Sequence, residues 1–245
     1  MKAMVLAAGL GTRLRPLTND RPKALVEVAG RTMLDITLSR LRKFGITDVI
    51  INAHHLARML TDYLSANRNF GMNVEVSHEE TLLDTGGGLK KAAYFFAGST
   101  EPFLLHNVDV LSDLDLGRIL QHQRDQKALA TLAVNHRPSA RLLLFNDRGQ
   151  LCGRRITKTG TDEVAHPATH VTALAFSGIH VVSPQIFDLM TESGEFSIID
   201  CYLRLAGEGF KISAFRADEY YWRDLGTEVS IRQAEADISA GRVRL

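Results

Sequence analysis

Lys2-Ala3-Met4-Val5-Leu6-Ala7-Ala8 runs directly into Gly9-Leu10-Gly11-Thr12-Arg13-Leu14-Arg15-Pro16-Leu17-Thr18, and Pro22-Lys23 closes the stretch. The apolar run Lys2–Ala7 has the continuous hydrophobicity of a strand buried on both faces, and the glycines place a loop at its carboxyl end. Gly9 and Gly11 lack a Cβ, so backbone amides there can approach an anion closely and form an anion-binding concavity. Arg13 adds a planar fork for bidentate phosphate contact and Lys23 a mobile point charge. Having both suits a polyphosphate better than a single carboxylate.

Two familiar glycine motifs do not fit. A dinucleotide fingerprint G-x-G-x-x-G needs glycine where Leu14 stands, and a clear acidic ribose partner about 20 residues on is missing. A P-loop needs four residues between its glycines and then Gly-Lys-Ser/Thr, a spacing found nowhere in the chain, which argues against a kinase or ATPase.

Downstream, strand-like apolar runs alternate with helical patterns: Lys2–Ala7 then Thr32–Phe44, Asp48–Asn52 then Leu56–Ala66, Asn73–Ser77 then Leu89–Phe96, Phe103–His106 then Leu116–Gln126. This is the rhythm of a doubly wound α/β sheet, whose ligands sit at the carboxyl ends of the strands. After about residue 128 come longer extended segments, Ala128–Val134, Leu142–Phe145 with an Asp147-Arg148-Gly149 turn, and Thr172–Val182. Helix Ile198–Ala206, strand Phe210–Phe215, segment Trp222–Thr227 and a helix to about Ser239 complete the chain. The expectation is a Rossmann-like, doubly wound mixed sheet in a single domain with a small lobe, its two halves being residues 1–127 and 128–245.

The 245 residues are 45% hydrophobic with a net charge of +1, enough to bury one sizeable core and without a basic field for nucleic acid. Cys152 and Cys201 show no C-x-x-C spacing, so ordinary buried thiols are expected. The apolar start imitates a signal peptide, but Arg13, Arg15 and Pro16 follow at once and no other run approaches 18 apolar residues. A cytoplasmic protein, monomer or homodimer, without nucleic-acid or membrane partners is expected. No isoleucine-rich hexapeptide repeat occurs, so no appended acyltransferase unit is expected.

Leu6 to Thr18 with Pro22-Lys23 resembles the signature L-A-A-G-x-G-T-R-L-x-P-L-T…P-K of the sugar-1-phosphate nucleotidylyltransferases, and the resemblance continues through Thr85-Gly86-Gly87-Gly88, Asn107-Val108-Asp109 and Trp222-Arg223-Asp224-Leu225-Gly226-Thr227. Within that family the chain looks most like the short bacterial N-acetylmuramate-1-phosphate uridylyltransferases. The resemblance implies a glycosyltransferase-A-like fold and magnesium-dependent transfer of a nucleotidyl group from an NTP, UTP favoured, to a sugar 1-phosphate, with residues 1–127 mainly binding the nucleotide and 128–245, with a small sugar-binding lobe, mainly binding the sugar phosphate.

By the same resemblance Asp109 and Asp224 are the Mg2+ ligands, a pair of carboxylates able to hold one ion against triphosphate oxygens. Either Asp alone also suits a helix cap. Val108 departs from the usual Asn-Gly-Asp and narrows the space beside the carboxylate. Arg13 and Lys23 take the catalytic phosphate contacts. Ala7, Ala8, Gly9, Gly11 and Thr12 join them at the nucleotide, with Thr85, Gly86 and Gly87 near the base and Glu79, or Glu80, on the pyrimidine edge. The triple glycine also reads as a flexible turn with a cap at Thr85. For the sugar phosphate, Gly153-Arg154-Arg155-Ile156-Thr157-Lys158 replaces the family's Glu-Lys-Pro. Arg154, Arg155 and Lys158 are therefore candidates beside Asn107, Ser177 and Gly178 of the Phe176-Ser177-Gly178-Ile179 strand. The nucleophile is already a phosphate anion, so no nucleophile motif is required, and His54-His55 lacks an H-E-x-x-H context. A mannose- or heptose-1-phosphate guanylyltransferase, and a non-catalytic nucleotide-sugar-binding regulator, are the competing readings.

Overall fold

The computed structural model describes residues 1–244. In chain order the elements are β1 (Lys2–Leu6), a short hairpin of β2 (Glu27–Val28) and β3 (Arg31–Thr32), α1 (Met33–Lys43), β4 (Asp48–Ala53), α2 (Ala57–Ala66), β5 (Asn73–His78), α3 (Asp84–Lys91), α4 (Ala93–Phe96), β6 (Phe103–Asn107), β7 (Val110–Ser112) and α5 (Leu116–Gln126). Then follow β8 (Ala130–Asn135), β9 (Arg141–Phe145), β10 (Leu151–Ile156), β11 (Thr161–Val164), β12 (Thr172–Val182), α6 (Ile186–Leu189), α7 (Ile198–Gly207), β13 (Ile212–Arg216), β14 (Trp222–Asp224) and α8 (Glu228–Ser239).

Ten strands form one mixed sheet whose main path runs β11-β10-β9-β12-β6-β1-β4-β5, with β8 beside β12 and β13 beside β8. Neighbours β6, β1, β4 and β5 are parallel, and β12 enters antiparallel against β6. Successive side chains of β1 alternate between two cores. Ala3 and Val5 pack with α1, α2, α5 and α8, whereas Met4 and Leu6 pack with α3 and α7. Strands covered on both faces must be apolar at every position, which accounts for the unbroken run from Ala3 to Leu6.

Local signals start the helices. Thr32 caps α1 by accepting from Asp35 N at 3.0 Å, Asp115 caps α5 through Gly117 N and Arg118 N, and Thr227 caps α8 through Ser230 N. Besides the short β2, β3, β7 and α6, which the sequence does not announce, two segments near candidate site residues differ from the sequence expectation. Helix α3 begins at Asp84, so Gly86-Gly87-Gly88 lie inside its first turns instead of in a loop. Low helix propensity hides this start; what fixes it is tertiary, because Gly86 N and Gly87 N both donate to Phe196 O and a Cβ on Gly86 would strike the Phe196 ring. The second difference is the β10–β11 hairpin, which polar residues such as Arg154, Arg155 and Asp162 conceal at the sheet edge.

Candidate active site

The carboxyl ends of β1, β4 and β6 open into a cleft of about 330 Å³ lined by Ala7, Ala8, Gly9, Lys23, Asn52, Thr85, Asn107 and Asp109, among others. Its floor is tied together by main chain and one amide: Ala7 N donates to Asn52 Oδ1 at 2.7 Å, and Val108 N to Leu6 O at 3.1 Å. Gly11 has φ +62°, and a Cβ there would come within 2.9 Å of Thr18 Cγ2. Only glycine lets the loop bend back this tightly. Thr18 Oγ1 donates to Gly11 O at 2.9 Å, and fully buried Leu14 pins the far side of the turn.

The tight turn leaves Arg13 at the rim with its side chain 64% exposed, 3.9 Å from Asp224 Oδ1. Lys23 is set deeper. Buried Ala24 and Leu25 anchor its short turn, and its ammonium pairs with Asp109 Oδ2, both side chains only 13% exposed. Thr12, beside Arg13, is exposed.

Asp109 and Asp224 belong to adjoining segments. β14 pairs antiparallel with β7 so that Asp224 opposes Val110, and Leu225 N donates to Asp109 O at 2.8 Å. Gly226 closes this corner, since a Cβ would lie 2.7 Å from Asp224 Oδ1. The carboxylate oxygens of Asp109, on the cleft wall, and of Asp224, in the adjoining strand, are the hard donors that magnesium takes one or two at a time, completing its shell with water and phosphate. Among the described residues no cluster of three or more His, Cys, Asp or Glu forms an all-protein cage.

Other expected residues lie elsewhere or act differently. Glu79 is 1% exposed and both carboxylate oxygens are engaged, accepting from Asn52 Nδ2 at 2.8 Å and Leu83 N at 3.1 Å, so it braces the cleft from behind. Gly86 and Gly87 are buried against residues 194–196, not open to a ring. Thr85 reaches the cleft while its Oγ1 accepts from Ile198 N at 3.0 Å. Arg154 is held by Glu163 at 2.6 Å and Asp200 at 2.7 Å, Arg155 pairs with Asp162 at 2.7 Å, and Lys158 is exposed in the turn beyond β10. These three do not join the cleft. Asn107 does, and Gly178, at φ +74°, packs against it: a Cβ there would sit 3.0 Å from Asn107 Nδ2. Ser177 is buried, its carbonyl accepting from Trp222 Nε1 at 2.8 Å.

Sequence reasoning missed Asn52, whose signal is an amide at the carboxyl end of an apolar strand, and acidic Asp84 and Glu195 on the cleft wall. His54, with no catalytic role expected, bonds Glu79 O through Nδ1 at 2.8 Å. Both cysteines are buried free thiols. Among the described residues no helix is long and apolar enough to cross a membrane.

The family model described as "Nucleotidyl transferase" matches residues 2–145. The chain is 31% identical over 237 residues to the N-acetylmuramate alpha-1-phosphate uridylyltransferase of Neisseria meningitidis serogroup B, covering 96% of this chain and 97% of that one. It is 32% identical to the protein of the same name from Caulobacter vibrioides, covering 97% and 96%. Among solved structures, HddC from Yersinia pseudotuberculosis, complexed with GMP-PN, superposes with a TM-score of 0.75 at 21% identity, covering 97% of this chain and 99% of that one. At that identity the likeness concerns the fold.

Proposed function

This chain belongs to the nucleotidyl transferase family, and from that premise we propose that its cleft transfers the uridylyl group of UTP to N-acetylmuramate 1-phosphate, giving UDP-N-acetylmuramate and pyrophosphate. The reaction class is that of a sugar-1-phosphate nucleotidylyltransferase; the choice of UTP and sugar follows the relatives that match this chain end to end. The observation that carries the reading is the Lys23–Asp109 pair set in the same cleft as the Gly9 loop.

A sugar-phosphate oxygen attacks the α-phosphorus of the triphosphate in line. The new P–O bond forms as the α–β bridging P–O bond breaks, and its electron pair leaves with pyrophosphate. Alignment and charge neutralisation are all that the protein must supply. The amides of Ala8, Gly9 and Gly11 receive phosphate oxygens. Lys23, pre-positioned by Asp109, transfers its contact to the triphosphate as the nucleotide arrives, and Asp109 is thereby freed. Arg13, exposed at the rim, neutralises the departing pyrophosphate. Asp109 and Asp224 would hold magnesium, which when bound offsets charge on the phosphates being exchanged. Asn107, Ser177 and Gly178 would form the sugar side; residues 1–127 would chiefly serve the nucleotide and 128–245 the acceptor, with Asn107 and Asp224 as the exceptions on either side.

The test offers UTP and GTP together, with magnesium and N-acetylmuramate 1-phosphate, and identifies the nucleotide sugar by mass. UDP-N-acetylmuramate is expected. A GDP-sugar would replace the base assignment, and nucleotide binding without any nucleotide sugar would favour a regulatory protein.

A further inference from the structure

Arg137, in the turn after β8, stands apart from the other cations of the acceptor half. Its guanidinium lies over the Trp222 ring, 3.6 Å from the centroid, and Nη2 donates to Phe176 O at 2.6 Å. Trp222 Nε1 donates to Ser177 O at 2.8 Å, so strand, indole and guanidinium are fixed as one stack. Trp222 is two residues before Asp224 on β14, which places the stack beside the carboxylate assigned to magnesium.

The charge of this group is offset only in part, by Asp224 beyond ion-pair distance. Arg154 and Arg155 each hold carboxylates at hydrogen-bond distance, whereas among the described residues no carboxylate closes an ion pair with Arg137, and its Nε is buried without a partner. Burial pushes its pKa below the ordinary arginine value while the negative charge of Asp224 pushes back. A half-buried cation that lacks a counter-ion is costly unless an anion arrives from outside.

The surroundings supply polar groups for that anion. The β8–β12 register shifts between Phe176 and His180, and Ser177 Oγ inside this bulge is buried without a partner. Gly178, next in the bulge, abuts Asn107, which lines the cleft. The bulge thus joins Arg137 to the reacting centre.

We propose that Arg137 is the cation that receives the phosphate of the sugar 1-phosphate, held flat for it by Trp222. The assignment rests on the reading above and supplies the acceptor contact that Arg154, Arg155 and Lys158 do not make. Nη1 and the second proton of Nη2 can grip two phosphate oxygens and leave the third free to attack.

Trp222 is the single tryptophan of the chain, so its emission reports this site without turnover. Two measurements are made on wild type, Arg137→Ala and Arg137→Lys, each first checked for an unchanged melting transition: kinetics with UTP and N-acetylmuramate 1-phosphate, and Trp222 emission titrated with inorganic phosphate. Arg137→Ala is expected to raise KM for the sugar phosphate at least tenfold while KM for UTP stays within threefold, with Arg137→Lys recovering part of the loss. Emission should change saturably in wild type and stay flat in Arg137→Ala. A lower kcat with the sugar-phosphate KM unchanged would assign Arg137 to bracing Trp222 and overturn the proposal. An identical phosphate response in Arg137→Ala, or none in wild type, would also overturn it. Wild-type inactivity with every acceptor, alongside an Arg137-dependent phosphate response, would remove the uridylyltransferase reading and leave the anion site standing. Should Arg137→Ala not fold, the Arg137→Lys comparison decides alone, an unchanged sugar-phosphate KM counting against the proposal.

Discussion

Replacing Asp109 by Asn separates two roles that the cleft gives one carboxylate. In the structure Asp109 neutralises Lys23, both side chains being 13% exposed; in the reaction it is assigned to magnesium. Loss of one of two metal carboxylates should reduce turnover at least a hundredfold, which is a barrier increase of about 2.7 kcal/mol. Binding without metal should change the other way. A carboxylate about 4 Å from a phosphate charge repels it by about 4 kcal/mol at an effective dielectric of about 20. The neutral amide of Asp109→Asn would remove that repulsion and release Lys23, while losing the pairing that orients the ammonium. A net gain of about 1.4 kcal/mol, a tenfold tighter metal-free UTP complex, is expected from this balance. Calorimetry with EDTA present measures the affinity, and pyrophosphate release with magnesium measures turnover. Near-normal turnover, or metal-free affinity weakened tenfold, would refute the assignment of Asp109.

Three further outcomes follow from the same geometry. Glu79→Ala strips acceptors from Asn52 Nδ2 and Leu83 N in a buried setting; a urea midpoint reporting a loss of about 2–4 kcal/mol is expected, whereas full stability with altered base preference would return Glu79 to the pyrimidine edge. Gly178→Ala must hold φ +74° and press on Asn107 and Val110; the strain costs about 1–2 kcal/mol, and the sugar-phosphate KM should rise severalfold with the UTP KM unmoved. Burial pushes the pKa of His106 down to about 4, helped by Arg40, and that of His180 to about 3, helped by His106. The unfolded chain, with histidine pKa near 6.5, therefore binds more protons than the folded one. Stability falls as pH drops below about 6.5 and stops falling once the folded values are passed, with a loss of about 2 kcal/mol per histidine at pH 5. Urea unfolding at pH 7 and pH 5 checks this, and equal stabilities would contradict it.

Local chemistry makes the first strand, its glycine loop and the alternation of buried runs readable from the chain. Each depends on residues adjacent in sequence. Asp109 and Asp224 are paired in the sequence only through the family resemblance, because their proximity is created by β7 meeting β14, a contact no spacing rule announces. Gly86-Gly87-Gly88 reads as a loop for the same kind of reason: intrinsic propensity opposes a helix there, and Phe196, remote in sequence, overrides it. Arg154 reads as an available cation, yet the fold sets Glu163 and Asp200 on either side of it. Arg137 belongs to no motif, and only Trp222 beneath it reveals a constrained cation.

Pyrophosphate release by the wild-type protein, with and without magnesium, across UTP, GTP, CTP and dTTP against N-acetylmuramate, glucose, mannose and heptose 1-phosphates, tests the central claim most directly. Magnesium-dependent release with UTP and N-acetylmuramate 1-phosphate as the best pair is expected; absence of release from every pair, while nucleotide still binds, would contradict a catalytic cleft.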